Sequence, residues 1–187
     1  ILVALLALPS ATMLPAGAET PAGKPATGIS KLDKLFDQLR NAGSPAAARP
    51  FSAEIERIFE RSGSATADLL FARAKEAMTA KDLDQALDLF DYITLLQPGW
   101  AEPYHRRAII HFIRKDQDAA FRDIRETLAR EPRHFHALAG LGGLLKGFGD
   151  NKGAFRAFSK ALEINPHFPD LKESLEKIRT DAEGQPI

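Results

Sequence analysis

Cysteine is absent from the chain. That excludes disulfides, thiolate catalysis, cysteine-based zinc sites and lipoprotein attachment. No charge of either sign dominates, since 25 Lys and Arg face 25 Asp and Glu. The basic face that neutralises phosphates is therefore missing, and nucleic acid is not an expected partner. Long hydrophobic runs are missing too: Ile1–Leu8 is apolar, but Pro9 and Pro15 interrupt the stretch, well short of the roughly 20 residues a spanning helix needs. Neither His-Glu-x-x-His nor Gly-x-Ser-x-Gly occurs, so zinc-peptidase and serine-hydrolase chemistry have no support. No cofactor, metal or catalytic residue is expected, and the chain reads as non-enzymatic.

What is present is a period. Pro98, Pro132 and Pro166 are 34 residues apart, and the residues ahead of each recur in phase. Ala86, Ala120 and Ala154 stand twelve positions upstream, Phe90, Ile124 and Phe158 eight upstream, and Asp82, Asp116 and Asp150 sixteen upstream. A fixed interval of this length marks stacked supersecondary units. Small alanines let two helix backbones approach, an apolar residue four further on fills their seam, and Pro stops the pair. The third unit also carries Leu138, Leu141-Gly142, Leu145 and Ala161.

These residues resemble the tetratricopeptide repeat, W-x2-L-G-x2-Y, then A-x3-F, a further A, and P. The resemblance implies an all-α right-handed helical solenoid with units 67–100, 101–134 and 135–168. Departures include Leu70, Tyr104 and Leu138 at the Trp position and Arg73 and Arg107 where Leu is usual. The stretches Arg61-Ser62-Gly63-Ser64, Glu131-Pro132-Arg133-His134-Phe135 and Ala139-Gly140-Leu141-Gly142 are similar to exported repeat proteins of alphaproteobacteria.

The flanks read differently. Residues 1–18 carry no charge and end in Ala16-Gly17-Ala18, the hydrophobic and cleavage regions of a secretory signal. Cleavage is expected after Ala18, with a periplasmic mature chain that lacks a membrane span. Membrane anchoring and a cytoplasmic location are the alternatives. The initiating Met and basic region are absent, which fits a start inside the precursor. Residues 19–29 are rich in Pro, Gly and Thr and read as a flexible leader. Over 30–66, Ser30 and Asp33 form a capping-box pattern. A first helix is expected to end at a left-handed Gly43, and a second to be regular only beyond Pro50. This out-of-phase pair reads as a degenerate repeat or N-terminal cap. Leu171, Leu175 and Ile178 stripe a capping helix over 169–181, followed by a disordered tail over 182–187.

The family resemblance places ligand contacts on the first helix of each unit. Unit one then offers Phe71, Lys75 and Met78, unit two His105, Ile109, Phe112 and Ile113, and unit three His136 and Lys146. An apolar centre with cations at both edges suits an extended peptide or an amphipathic helix with an acidic flank, supplied by an unknown protein partner. Ile109 and Phe112 would otherwise serve helix packing or be covered by the chain's own leader. Family members that clamp a C-terminal carboxylate use Lys, Asn and Arg. The matching residues here are Phe71, Lys75, Arg106, His136 and Gly140, so that activity is not implied.

His105 and His136 could approach each other across neighbouring first helices, and His134-Phe135-His136 lies at a helix entrance, but metal ligation calls for three or four convergent donors with defined spacing. His111 reads as an interior imidazole. Arg73 and Arg107 read as snorkelling cations paired to Asp88, Asp91 or Asp123, or else as a cationic row with Arg106. A homo-oligomer, or an accessory subunit of an envelope enzyme complex, remains an alternative function.

Overall fold

The computed structural model describes residues 30–168 and 171–183. The signal and leader expectations, and the tail expectation beyond Glu183, lie outside them. Among the described residues there are helices and no strands: α1 (Lys31–Arg40), α2 (Pro45–Phe59), α3 (Ala65–Thr79), α4 (Leu83–Leu96), α5 (Ala101–Ile113), α6 (Gln117–Arg130), α7 (Phe135–Gly147), α8 (Asn151–Ile164) and α9 (Leu171–Glu183). None is long and apolar enough to cross a membrane.

From α3 onward, each hairpin lies on the next: α4 on α5, α6 on α7 and α8 on α9. The period has a local cause. Asp82, Asp116 and Asp150 are the N-caps of α4, α6 and α8, accepting from the main-chain N–H of Gln85, Ala119 and Gly153. The residue before each cap is left-handed: Lys81 at φ 62°, Lys115 at 64° and Gly149 at 81°. The cap N–H reaches back to Ala77, His111 or Leu145 at 2.9 Å, satisfying a helix-end carbonyl. Ala86, Ala154 and Phe90 are fully or almost fully buried. In the third unit a Cβ on Gly142 would fall 2.4 Å from the Phe158 ring, so only glycine lets the paired helices of that unit meet so closely.

The N-terminal pair departs from expectation in three ways. Gly43 is not left-handed, and α1 is terminated by Asn41, whose N–H bonds the Asp37 carbonyl. The second helix starts at Pro45 rather than after Pro50. Ser44 caps it through the Ala47 N–H, and Pro45 occupies the first turn, where no donor is needed. Pro50 omits only one bond near that end.

The third departure is positional. The pair does not cap the first unit as a degenerate repeat would; α1 packs on α8. Leu35, Phe36, Leu39, Ile55 and Phe59 share one core with Phe135, Phe158, Ile164, Leu171 and Ile178. A solenoid with an unfilled inner face leaves apolar surface in water. Burying these five large side chains removes that cost at about 1.5–3 kcal/mol each. At the far end, α9 buries Leu171 and Ile178 as expected of a cap, running to Glu183 instead of stopping at 181.

Candidate functional site

Helix α2 crosses the inner face made by the first helices of the units. Its C-terminal end is held first. Glu60 accepts from Lys75 Nζ of α3 at 2.8 Å and from Arg106 Nη2 of α5 at 3.0 Å. The Phe59 carbonyl accepts the Trp100 indole N–H at 2.6 Å. One turn earlier, Glu56 bonds His136 Nε2 of α7 at 3.0 Å. Asp33 of α1 receives Arg133. Hydrogen bonds from Ser30 and Arg133 hold the Asp33 pKa down to about 2. Amphipathic, with apolar Ile55 and Phe59 and acidic Glu56 and Glu60, α2 has the chemistry expected of a partner. The chain supplies that helix itself.

Beside the end of α2 a cavity of about 440 Å³ stays open. Its apolar side is Ala108, Ile109, Phe112, Ile124 and Leu144, with Gly140 and Gly143 of α7 forming a wall without side chains. Its polar side is Glu56, Glu102, His105, Arg106, His134 and His136.

Glu102, His105 and His134 form a buried cluster whose donor atoms lie within 4.8 Å of one another. Proton positions favour a hydrogen-bond network over a metal centre. His134 is the N-cap of α7, and its Nδ1 accepts the Ala137 N–H at 3.2 Å. Its proton is thus on Nε2, donated to Glu102 at 2.8 Å. Arg106 Nε holds the other carboxylate oxygen at 2.6 Å. Burial opposes ionisation of Glu102, but the His134 N–H and the neighbouring His105 imidazole outweigh it and keep its pKa well below the ordinary value. Burial pushes the His105 imidazole down to about 4, so it is neutral. His105 Nδ1 lies 3.5 Å from Glu102 and has no hydrogen-bond partner.

The expected groove residues separate into three places. His105, Ile109, Phe112 and His136 meet around the cavity. Phe71 is instead a core side chain against Phe90 and Trp100, Met78 packs on the same cluster, and Lys75 is committed to Glu60. Ile113 is exposed and Lys146 likewise, neither lining the cavity. Arg107 behaves as a snorkelling cation: it bridges Asp91 and buried Asp123, with Nε and Nη2 forked onto the latter at 2.7 and 2.6 Å. Arg73 is exposed, and Arg106 is matched by two carboxylates, so the cationic row is not formed. Glu56, Phe59 and His134 were absent from the expected set. Their signal was the acidic, apolar pattern of α2 set against the basic edges of the inner face.

No protein-family model matches the chain. A TPR repeat-containing protein of Rhizobium etli is 36% identical over 154 residues, covering 82% of this chain and 76% of the relative. Among solved structures, the first TPR of Spaghetti (RPAP3) bound to an HSP90 peptide superposes with a TM-score of 0.60 at 19% identity, over 63% of this chain and 94% of that one. A MamA structure gives 0.59 at 18%, over 84% and 87%. The Yersinia enterocolitica secretion chaperone SycD with a peptide of the translocator YopD gives 0.58 at 16%, over 64% and 96%. These likenesses concern the fold, whereas the Rhizobium relative concerns descent: the chain belongs to the tetratricopeptide-repeat family.

Proposed function

We propose that the chain is a non-enzymatic protein-interaction module whose partner docks on the part of the inner face that α2 leaves open. The observation carrying this reading is the open cavity beside a groove already filled by a helix. The space suits an anchoring side chain of an extended segment, not a second helix. Complexes of the RPAP3 repeat and SycD with peptides support interaction as the use of such a scaffold. Export belongs to the same proposal, supported by the uncharged residues 1–18 and their Ala16-Gly17-Ala18 ending.

Crosslinking capture from envelope extracts, wild type against Ile109→Asp plus Phe112→Asp, tests the surface. Loss of specific proteins with the variant is expected; identical captures would reject it.

A second reading, self-association, is favoured by exposed Leu69, Tyr92, Leu95 and Leu96 on the first unit. Light scattering that shows a concentration-independent monomer removes it.

A further inference from the structure

The second helix of each unit carries the same stripe of outward positions, spaced so that they share one helical face. On α4 it reads Asp84, Asp88, Asp91, Tyr92 and Leu95. The matching residues are Asp118, Arg122, Arg125, Glu126 and Ala129 on α6, and Lys152, Arg156, Ser159, Lys160 and Glu163 on α8. All but Ser159 are exposed. Charge changes sign along the array. The first unit shows three carboxylates and no cation, the second two of each sign, and the third three cations and one carboxylate.

The first unit also puts apolar surface into water. Tyr92 is 53% and Leu95 79% exposed, where the third unit has Lys160 and Glu163. Asp84 and Asp91 are held by Arg114 and Arg107, and Lys160 by Glu163. Asp88, Lys152 and Arg156 make no ion pair or hydrogen bond among the described residues.

A match for the α4 stripe needs cations one turn apart on a helix, with stems to lie along Tyr92 and Leu95. The α8 stripe meets that need. With Asp88 opposite Arg156, Asp84 falls opposite Lys152 if the helices run parallel and opposite Lys160 if antiparallel. The Tyr92 ring then lies beside the other of these two lysines, cation against ring. The second unit stands between α4 and α8, so the two stripes meet only between chains.

Resting on the self-association reading above, we infer that the partner at this surface is a second copy of the chain, its α8 stripe laid along α4. Opposite charges set the pairing, and burial of Tyr92 and Leu95 holds it.

Sedimentation of the full chain over a range of concentrations tests the pairing. Wild type should associate, and more weakly as salt is raised. Asp88→Arg places a cation opposite Arg156 and should weaken association about ten-fold. Arg156→Asp places a carboxylate opposite Asp88 and should do the same. Both side chains are exposed and unbonded within the chain, so both variants keep the fold. Equal mixing of the two variants should restore association, because each then meets opposite charge on the other. A wild type that is monomeric throughout removes the inference and the self-association reading together. Association that neither substitution weakens, or that mixing does not restore, overturns the inference and leaves self-association to another surface.

Discussion

The Trp100 indole donates to the main-chain oxygen of Phe59, at 2.6 Å and 41 residues away in sequence. The acceptor is one of the last carbonyls of α2, which have no partner within their own helix. Trp100 also packs on Phe71 at 4.8 Å, so one side chain fastens the end of α2 to the first unit. Trp100→Phe keeps most of the ring and removes the donor. A loss of about 1–3 kcal/mol is expected from urea unfolding; an unchanged midpoint would show that the bond contributes nothing.

Arg107 of α5 and Asp123 of α6 join the two helices of the second unit through a forked ion pair. Asp123 is 4% exposed, so removing the guanidinium leaves a buried charge facing only His111 Nε2 at 3.6 Å. Arg107→Met should cost about 3–5 kcal/mol. Adding Asp123→Leu should restore most of it, because the stranded charge is gone. The contact to exposed Asp91 adds little. A four-variant denaturation cycle measures the coupling, and a near-additive result contradicts the assignment.

Acid should loosen the protein in a defined window. The His105 pKa falls from 6.5 unfolded to about 4 folded. At pH above 6.5 both states are neutral there. As pH falls towards 4, the unfolded state takes up the proton and the folded state does not, so stability declines. The drop reaches about 3 kcal/mol at full effect. His105→Phe should flatten the profile between these limits, leaving the carboxylate-driven loss at lower pH. Unfolding titrations at stepped pH read it directly.

Lys81 and Lys115 occupy left-handed backbone that costs a side-chain-bearing residue about 1–2 kcal/mol. Their counterpart in the third unit is Gly149. Lys81→Gly and Lys115→Gly should each raise stability by about 1 kcal/mol, since no hydrogen bond to either lysine side chain is made among the described residues. A fall in melting temperature for both would contradict this account.

Adjacent glycines should respond with opposite signs. Gly142→Ala drives a methyl into the Phe158 ring and should cost about 1–3 kcal/mol. Gly143→Ala points into open space on a helix and should gain about 0.5–1 kcal/mol. Thermal melts of the two variants suffice.

The repeating hairpins were legible in the sequence because their contacts are local. Asp82, Asp116 and Asp150 cap the helix that follows within three residues, and the alanines and Phe158 act between helices joined by one turn. The left-handed positions were hidden in two units of three, where lysine stands in place of glycine. The seat of the α1–α2 pair was not legible. Arg133 meets Asp33 across 100 residues, and His167 meets the Ala42 carbonyl across 125; neither contact belongs to any period. Half of the cavity was legible for the same reason. His105, Ile109 and Phe112 follow from register, whereas Glu56 and Phe59 arrive from a helix outside it.

Contacts of that span also set the order in which the chain can mature during synthesis. Leu35 and Phe36 precede Leu171 and Ile178, which share their core, by more than 130 residues. The opening hairpin cannot complete that core until those later residues have been made. Ordinary stacked arrays can propagate from any neighbouring pair. Here the final fastening is a long loop closure, which slows folding and joins both ends of the array into one cooperative unit.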